Sequence, residues 1–484
     1  MTTVLSAEDL VFNGVNGCTG RYLLTLRPAD LDALILKNGL DYDPDHLDEL
    51  RERDQRRQQD HLELEYGLDP DKLAEAGWGV IFPYRPDQAS VQASVQAWRD
   101  ALSELLDWRR AEAGDRYQEF LGPRGVRPDE TANQFMVRYH ASPGTVDPTR
   151  LPYYLLLVGD VDEIPFRFQY ELDATYLVGR VAFASLDDYR RYAHSVVTAE
   201  KEQRRRARRA VFFGTRHPGD RATPLSAEQL VAPLAADLKA RVPSWTVDQP
   251  APDDCTKPRL AALLGNGEAP ALLFTASHGL GYDPAVPAEL ALQPAFQGAL
   301  LCQGLPWGTP PTRDVILAAE DIADDFDVHG LVAFHFACFG LGTPRLDSFT
   351  RPDQAGPAEL APRSFISALP RRLLSHPRGG ALAVIGHVDR AVSYSFRWQR
   401  AGQQTTTFRS TLHQLMDGRR VGAALDQFNL RYAQLTTQLT NLLQDRESIR
   451  PDPQELKGLW TATSDARGYA LLGDPAVRVA AEPA

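Results

Sequence analysis

Short apolar runs alternate with amphipathic stretches along most of this chain, beginning near residue 78. The runs at 78–84 ("WGVIFPY"), 151–160 ("LPYYLLLVGD") and 174–183 ("ATYLVGRVAF") are apolar almost throughout, which is typical of parallel strands covered on both faces. Between the first two runs, residues 89–114 repeat apolar side chains at intervals of three and four and end at a glycine, as an amphipathic helix does. This alternation of strands with helices predicts βαβ crossovers and a mostly parallel sheet.

A second series of the same kind follows the basic run "RRRARR" at 204–209. Its first predicted helix, "SAEQLVAPLAADLKARV", opens with Ser226 as the expected N-terminal cap. Its predicted strands include "AVFFGT", "ALLFTASHG", "GALLCQG", "LVAFHFACFG", "GALAVIGHVD" and "GYALLGDPAVRV". We therefore predict an α/β fold with a mostly parallel sheet flanked by helices, built as two tandem α/β subdomains at 76–203 and 204–484. Residues 1–75 form an N-terminal extension of unknown role.

Composition and charge narrow the classes of function. The formal net charge of −12 disfavours binding to nucleic acid or to anionic membranes, because phosphates reward clustered Lys and Arg. The first twenty residues contain neither a basic stretch nor a long apolar core, so they do not resemble a secretory signal. No apolar run approaches the roughly 20 residues that a membrane helix needs. We therefore expect a cytoplasmic globular protein with neither nucleic acid nor membrane as its partner.

The four cysteines show no spacing typical of a metal site or a disulfide scaffold, so each is treated as a free thiol and no metal is expected. Cys338 closes the apolar run "LVAFHFACFG", and His278 closes "ALLFTASHG". If the two strands are neighbours, the thiol and the imidazole emerge at one sheet edge, where reactive groups of α/β sheets gather. An imidazole there can take the thiol proton and pass it to a leaving amine. The backbone N–H groups of Gly279 and Cys338 are the predicted oxyanion hole.

Other interpretations of these residues stay open. A cysteine in an apolar run is more often inert core than nucleophile, and Cys18, Cys255 and Cys302 are interpreted in that way. His387, which also closes an apolar strand, is the main rival of His278 as the base. His335, three positions before Cys338, is a further alternative.

Several blocks in fixed order carry a resemblance to a known family: "LLFTASHGLG", "LVAFHFACFGLGTPR", "GGALAVIGHVDRA" and "YALLGDPAVRV". They look like the successive blocks of the CHAT branch of caspase-like (clan CD) cysteine peptidases, and the first half of the chain resembles gingipain-type peptidases. The resemblance implies a caspase-like three-layer sandwich with Cys338 as nucleophile and His278 as catalytic histidine. The chain departs from the family at Phe339 and Gly340, where an acidic residue and a threonine often follow the nucleophile.

The resemblance also implies a function. We expect a cysteine endopeptidase that cleaves a protein or peptide substrate through an acyl-enzyme, needs no cofactor, and is a latent effector switched on by an activating protein or ligand. Asp389 is the predicted acid of the S1 pocket, with Asp173 second, which implies a basic P1 residue, the residue whose carbonyl is attacked. Asp389 could equally be a turn residue, and the adjacent Arg390 could neutralise it.

The function of the chain and the role of the basic run each have a second interpretation. A catalytically silent caspase-like scaffold could bind a protein partner through the same groove. The run at 204–209 is foremost a solvated helix end, and secondly a candidate site of self-cleavage.

Overall fold

The computed structural model describes residues 10–26, 64–141, 144–201, 205–265, 269–349, 358–398, 402–444 and 453–482. Its strands, in chain order, are β1 Leu10–Val11, β2 Gly14–Asn16, β3 Thr25–Leu26, β4 Trp78–Ile81, β5 Tyr117–Phe120, β6 Tyr154–Val158, β7 Leu177–Val181, β8 Arg209–Gly214, β9 Thr246–Asp248, β10 Leu272–Ala276, β11 His278–Gly281, β12 Leu300–Leu301, β13 Ile316–Leu317, β14 Val332–Phe336, β15 Gly342–Thr343, β16 Phe365–Ile366, β17 Ala383–His387, β18 Arg397–Trp398, β19 Gly402–Gln403 and β20 Tyr469–Gly473.

The helices are, in chain order, α1 Leu73–Ala76, α2 Ala89–Ala101, α3 Ser103–Ala113, α4 Ala132–Arg138, α5 Phe166–Leu172, α6 Leu186–Lys201, α7 Ala222–Ser226, α8 Ala232–Arg241, α9 Lys257–Gly265, α10 Pro287–Leu290, α11 Gln293–Phe296, α12 Ala368–Leu374, α13 Thr406–Met416, α14 Val421–Gln444 and α15 Pro453–Arg467. A π-helical turn, Ala227–Val231, joins α7 to α8. No helix within the described ranges is long and apolar enough to cross a membrane.

The centre of the fold is a ten-stranded sheet with the order β5-β4-β6-β7-β20-β17-β14-β10-β8-β9. Neighbouring strands are parallel throughout except at β17 and β20, which are antiparallel. The longer strands are buried along their whole length, as their continuous apolar sequences predict. The predicted α/β fold with a mostly parallel sheet flanked by helices is therefore confirmed, and the two predicted series are the two halves of one continuous sheet.

The single antiparallel contact divides the strands into two groups by direction, and β20 of the second series runs with the strands of the first half. Strands β4 to β7 and β20 run one way, and β8, β9, β10, β14 and β17 run the other way. The carboxyl ends of the second half therefore share an edge with the amino ends of β7 and β20. Loops from both halves meet at that edge.

A second sheet of four short strands, β13-β12-β11-β2, lies beyond this edge. Strand β11 continues the chain from β10 after Ser277, and β2 from the N-terminal segment pairs with it in parallel. The N-terminal residues 10–26 are thereby built into the fold next to His278, and residues 12–15 of this segment are buried.

One predicted helix start is wrong. The helix predicted to open at Ser226 begins earlier, at Ala222, because the carboxylate of Asp220 accepts hydrogen bonds from the N–H groups of Ala222 (3.1 Å) and Thr223 (2.8 Å) and so caps its first turn. Ser226 is buried inside the helix, where its hydroxyl donates to the carbonyl oxygen of Thr223 at 3.1 Å.

Candidate active site

Three neighbouring strands bring the candidate residues together. Strand β10 lies between β14 and β8, and its last residue, Ala276, is in register with Phe336 of β14 and Gly214 of β8. The segments that follow these three strand ends carry His278, Cys338 and Asp220 respectively. The sequence-based condition that the strands of His278 and Cys338 are neighbours is therefore met.

His278 forms a buried pair with Asp220. Its Nε2 lies 2.9 Å from Oδ2 of the carboxylate, and both side chains are excluded from solvent. Burial alone would raise the pKa of Asp220, but the attraction of His278 and the hydrogen bonds from His278, Thr223 and Tyr22 outweigh burial and hold that pKa well below its usual range. The carboxylate is thus ionised and oriented towards the imidazole.

This pairing assigns the two ring nitrogens of His278. In the neutral ring, an Nε2–H that donates to Asp220 leaves the lone pair on Nδ1, and Nδ1 is buried with no hydrogen-bond partner among the described residues. An imidazole held in this tautomer by a carboxylate has one nitrogen ready to accept a proton.

Aromatic rings fix the plane of the His278 ring. Trp307 stacks on it with a centroid distance of 5.4 Å, and Tyr22 approaches edge-on at 5.9 Å while its hydroxyl donates to Asp220. His217 lies 6.1 Å away, and burial together with the nearby His278 lowers the pKa of His217 to about 4. His217 is therefore neutral at physiological pH and adds no positive charge to the site.

Cys338 sits at a sharp turn directly after β14. Its side chain is fully buried, and its Sγ lies 3.6 Å from the carbonyl oxygen of Ala391. Burial raises the pKa of the Cys338 thiol, against a smaller opposing effect of Arg390. The next residue, Phe339, has a φ of 56°, a left-handed conformation that costs a non-glycine residue about 1 kcal/mol or more. Phe339, where the sequence differs from the pattern it otherwise resembles, therefore lies in a strained turn.

The N–H groups of Gly279 and Cys338 converge on one acceptor. Both donate to the carbonyl oxygen of Asn13, at 2.9 Å and 3.0 Å. A Cβ at position 279 would lie 1.8 Å from the carbonyl oxygen of Cys338, so only glycine permits this approach of the two backbones. Two backbone donors aimed at one carbonyl oxygen have the geometry of an oxyanion hole.

Asp389 lies beside the turn that carries Cys338, in a left-handed conformation with a φ of 76°. Its carbonyl oxygen accepts from the N–H of Phe339 at 2.7 Å, and its Oδ1 is buried with no hydrogen-bond partner among the residues described. Burial raises the pKa of Asp389. Its side chain lines a cavity shared with Phe166 and Tyr170 of the first half. Asp389 is thus both a turn residue and a cavity-lining acid.

Arg390 and Asp173, the other two residues considered for the S1 pocket, lie in different surroundings. Arg390 makes its shorter ion pair with Asp347, and its guanidinium is 3.8 Å from Asp389 Oδ1. Asp173 is buried just after α5, where its N–H donates to the carbonyl oxygen of Gln169 at 2.8 Å. It does not line the cavity of Asp389, although residues of α5 do.

The two rival histidines have structural partners. His387 Nε2 lies 2.8 Å from the carbonyl oxygen of Asp465, and its ring packs against Tyr469 at 4.9 Å. His335 lies within the sheet, with Nδ1 2.8 Å from the Thr275 hydroxyl, and burial lowers its pKa to about 4. Neither shares the Asp220 carboxylate of His278.

Sequence reasoning missed Asp220 and Asn13. Asp220 stands in "TRHPGDRAT", a Pro-Gly turn that follows a predicted strand, and an acid at that edge next to a helix start was a usable signal. Asn13 had no signal, because its place depends on the N-terminal segment folding back over the site.

Comparison with known proteins gives a likeness of fold at low identity. No family model matches the chain, and no curated protein matches it. Among solved structures it is similar to the Arg-specific cysteine proteinase gingipain R (11% identity, TM-score 0.48, 84% of this chain and 78% of that chain). It is also similar to a structure described as a protease (11%, 0.44, 83% and 78%) and to a complex of the RgpB pro- and mature domains of Porphyromonas gingivalis (12%, 0.40, 83% and 79%).

Proposed function

We propose that this protein is a cysteine endopeptidase whose nucleophile is Cys338. The observation that carries the proposal is the convergence of the Gly279 and Cys338 N–H groups on one carbonyl oxygen at the nucleophile turn, beside a histidine held by a carboxylate. The thiol, the imidazole and the carboxylate each have a separate role in this proposal. They follow the ends of three adjacent strands, β14, β10 and β8.

The chemistry follows from these positions. Cys338 Sγ attacks the substrate carbonyl carbon, while His278 Nδ1 takes the thiol proton and passes it to the leaving amine. The Gly279 and Cys338 N–H groups stabilise the oxyanion, and Asp220 keeps His278 oriented and stabilises the imidazolium. Water then hydrolyses the thioester and regenerates the thiol. The groups that move protons and stabilise charge in these steps are side chains and backbone N–H groups of the chain, and water is the second reactant.

A thiol-reactive peptide probe tests the enzyme against the silent scaffold. We expect covalent labelling of the activated wild type, and loss of labelling in both Cys338→Ala and His278→Ala. Labelling that persists in Cys338→Ala would identify another thiol, and no labelling with any probe or truncation would favour the scaffold that binds a partner through its groove.

The preference at P1 is a separate proposal. Asp389 presents a carboxylate to a cavity beside the nucleophile turn, which supports a basic P1 residue, because a cation removed from water needs a paired charge. A cleavage-site profile on a denatured proteome tests it directly. Cleavage after Arg or Lys would support Asp389, and a profile dominated by other residues would assign the specificity to another pocket.

Latency is supported by the burial of the site. His278 and Cys338 are both 0% exposed, so a substrate reaches them only after the covering residues have moved or been removed. We therefore propose that an activating protein or ligand, or processing of the chain, precedes cleavage of other proteins. The protein's activity with and without the N-terminal residues is the measurement that tests this latency.

A further inference from the structure

The N-terminal segment 10–26 lies across the candidate site in the manner of a bound peptide. On one side of Asn13, Gly14 is in register with Gly279 in the parallel pair of β2 and β11. On the other side, the Asn13 N–H donates to the Ala391 carbonyl oxygen at 3.0 Å, and Phe12 forms an antiparallel bridge with Val392. The backbone is thus held by strand-like hydrogen bonds on both sides of one residue, as an extended substrate is held at a sheet edge.

The peptide group between Asn13 and Gly14 lies against the nucleophile. The Asn13 carbonyl oxygen accepts from the N–H groups of Gly279 and Cys338. A Cβ added to Gly14 would lie 2.7 Å from Cys338 Sγ, so Gly14 Cα packs directly on the thiol. The Asn13 carbonyl oxygen thus occupies the proposed oxyanion hole, while the next residue, Gly14, contacts Cys338 Sγ.

We propose that Asn13–Gly14 is a substrate bond of this protein, which Cys338 cleaves within its own chain. This inference rests on the proposed peptidase function and names one of its substrates. Sγ bonds to the Asn13 carbonyl carbon, the bond from that carbon to Gly14 N breaks, and the thiol proton reaches Gly14 N through His278. Water then cleaves the thioester, which leaves a carboxylate on Asn13, a free amine on Gly14 and the thiol restored.

The Asn13 side chain marks the pocket that receives P1. It is 1% exposed, and its Nδ2 lies 3.4 Å from the Ser226 hydroxyl and 3.5 Å from the Ser277 carbonyl oxygen. Both neighbours are neutral acceptors, which suit an amide donor and offer no carboxylate to a cation. The intramolecular substrate therefore indicates asparagine at P1, in a pocket other than the cavity of Asp389. This assignment competes with the basic P1 preference proposed above, and the cleavage-site profile distinguishes the two.

The alternative self-cleavage site in the basic run is tied into the fold where it is described. Arg206 is buried and donates to the carbonyl oxygens of His329, Ala269 and Asp327. Arg209 pairs with Asp248 at 2.6 Å, and Arg204 lies outside the described residues. None of these contacts involves Cys338, whereas the Asn13 carbonyl oxygen accepts from the Cys338 N–H.

The chain contains its own control for the test. The sequence "FNGVNG" repeats the Asn-Gly dipeptide at positions 16 and 17, and Asn-Gly peptides are chemically labile without any enzyme. The carbonyl oxygen of Asn16 accepts from Gly20 N at 2.8 Å and lies outside the oxyanion hole. Spontaneous breakdown would affect both dipeptides, whereas catalysis by Cys338 selects the first.

The experiment is intact-mass analysis with N-terminal sequencing of the full chain during incubation. We expect wild type to lose residues 1–13 and to begin at Gly14, with a first-order rate that does not depend on protein concentration. Cys338→Ala is expected to stay intact. Asn13→Leu and Asn13→Arg are expected to slow the cleavage at least tenfold, because neither places an amide between Ser226 and Ser277.

The outcomes separate this inference from the proposed function. Equal breakdown at 13–14 and 16–17, or cleavage in Cys338→Ala, would overturn self-cleavage. Faster cleavage of Asn13→Arg would overturn the asparagine pocket. Wild type that stays intact while a peptide of residues 8–19 is cut in trans, in a Cys338-dependent way, would overturn only this inference; an intact wild type that cuts no peptide and takes no probe would overturn both.

Discussion

The two halves of the sheet have the same α/β architecture but carry different ionisable side chains on and after their strands. In the first half, Arg180 of β7 is fully buried and donates to Gln169 Oε1 at 2.9 Å and to the carbonyl oxygens of Gly159 (2.9 Å) and Ile164 (2.7 Å). Burial lowers the pKa of Arg180 to about 10, so its guanidinium stays charged at neutral pH. A permanent cation that satisfies loop carbonyls stabilises a structure but moves no proton.

In the second half, the equivalent strand ends carry a thiol, an imidazole and a carboxylate. One of the two imidazole nitrogens of His278 is left without a partner among the described residues, so this half holds a group that can accept a proton. The comparison teaches that an α/β sheet supplies positions, while the ionisable groups at those positions separate a scaffold from a catalyst.

The sharpest test of this comparison is removal of the thiol. Cys338→Ala should lower peptidase activity by about 10⁴-fold or more, because the acyl-enzyme cannot form. Its thermal midpoint should stay within a few degrees of wild type, since only one sulfur is lost. Peptide hydrolysis and thermal unfolding are the two measurements. The matched control that keeps activity is Cys255→Ala, a buried cysteine whose Sγ, like that of Cys338, lies 3.6 Å from a backbone carbonyl oxygen, here that of Ala251.

The next effect concerns the orienting carboxylate. Asp220→Asn should lower kcat by roughly 10²- to 10⁴-fold, because the amide favours the wrong tautomer of His278. The hydrogen-bonding shape of the side chain is nearly kept, so KM should change little. Unchanged kcat in a folded variant would show that Asp220 caps α7 and has no part in orienting the base.

The first half should respond in the opposite way. Arg180→Met removes a buried cation and leaves two loop carbonyls without their donor, so we expect a loss of roughly 3 kcal/mol or more in unfolding free energy. Activity per folded molecule should stay near wild type. The denaturant midpoint gives the stability of the variant, and active-site titration gives its activity per folded molecule. A variant with full stability and no activity would contradict the idea that the first half stabilises the protein without taking part in the reaction.

The smallest effect is a pH dependence within the second half. Burial lowers the pKa of His335 to about 4, so the unfolded chain binds a proton as the pH falls below about 6.5 while the folded chain does not. The contribution of neutral, buried His335 to the free energy of unfolding is therefore fully present above pH 6.5. It falls by up to roughly 3 kcal/mol as the pH is lowered from about 6.5 to 4. His335→Gln should flatten stability against pH in that window, measured by denaturation at each pH; an unchanged slope would mean that other groups cause it.

Part of the candidate site could be read from the sequence because it depends on strand ends. The apolar runs that end in His278 and Cys338 placed both residues at one edge as soon as the strands were neighbours. Gly279 was singled out because a residue without Cβ lets a substrate carbonyl approach closely; in the structure, the carbonyl oxygen of Cys338 makes the close approach. The start of α7 was misassigned because Ser226 resembles a cap, whereas Asp220 provides the cap from outside the predicted helix.

Local pattern by itself determined the α/β class, the alternation of strands with helices, and the thiol and imidazole at two strand ends, because periodicity and burial are properties of short segments. The tertiary structure decided what depends on contacts between distant parts of the chain. These are the reversal of direction between β17 and β20, the pairing of Asp220 with His278, and the position of the Asn13 carbonyl between the N–H groups of Gly279 and Cys338. An acceptor hundreds of residues away from its donors leaves no periodic trace in the sequence, so only the folded chain brings it to Cys338.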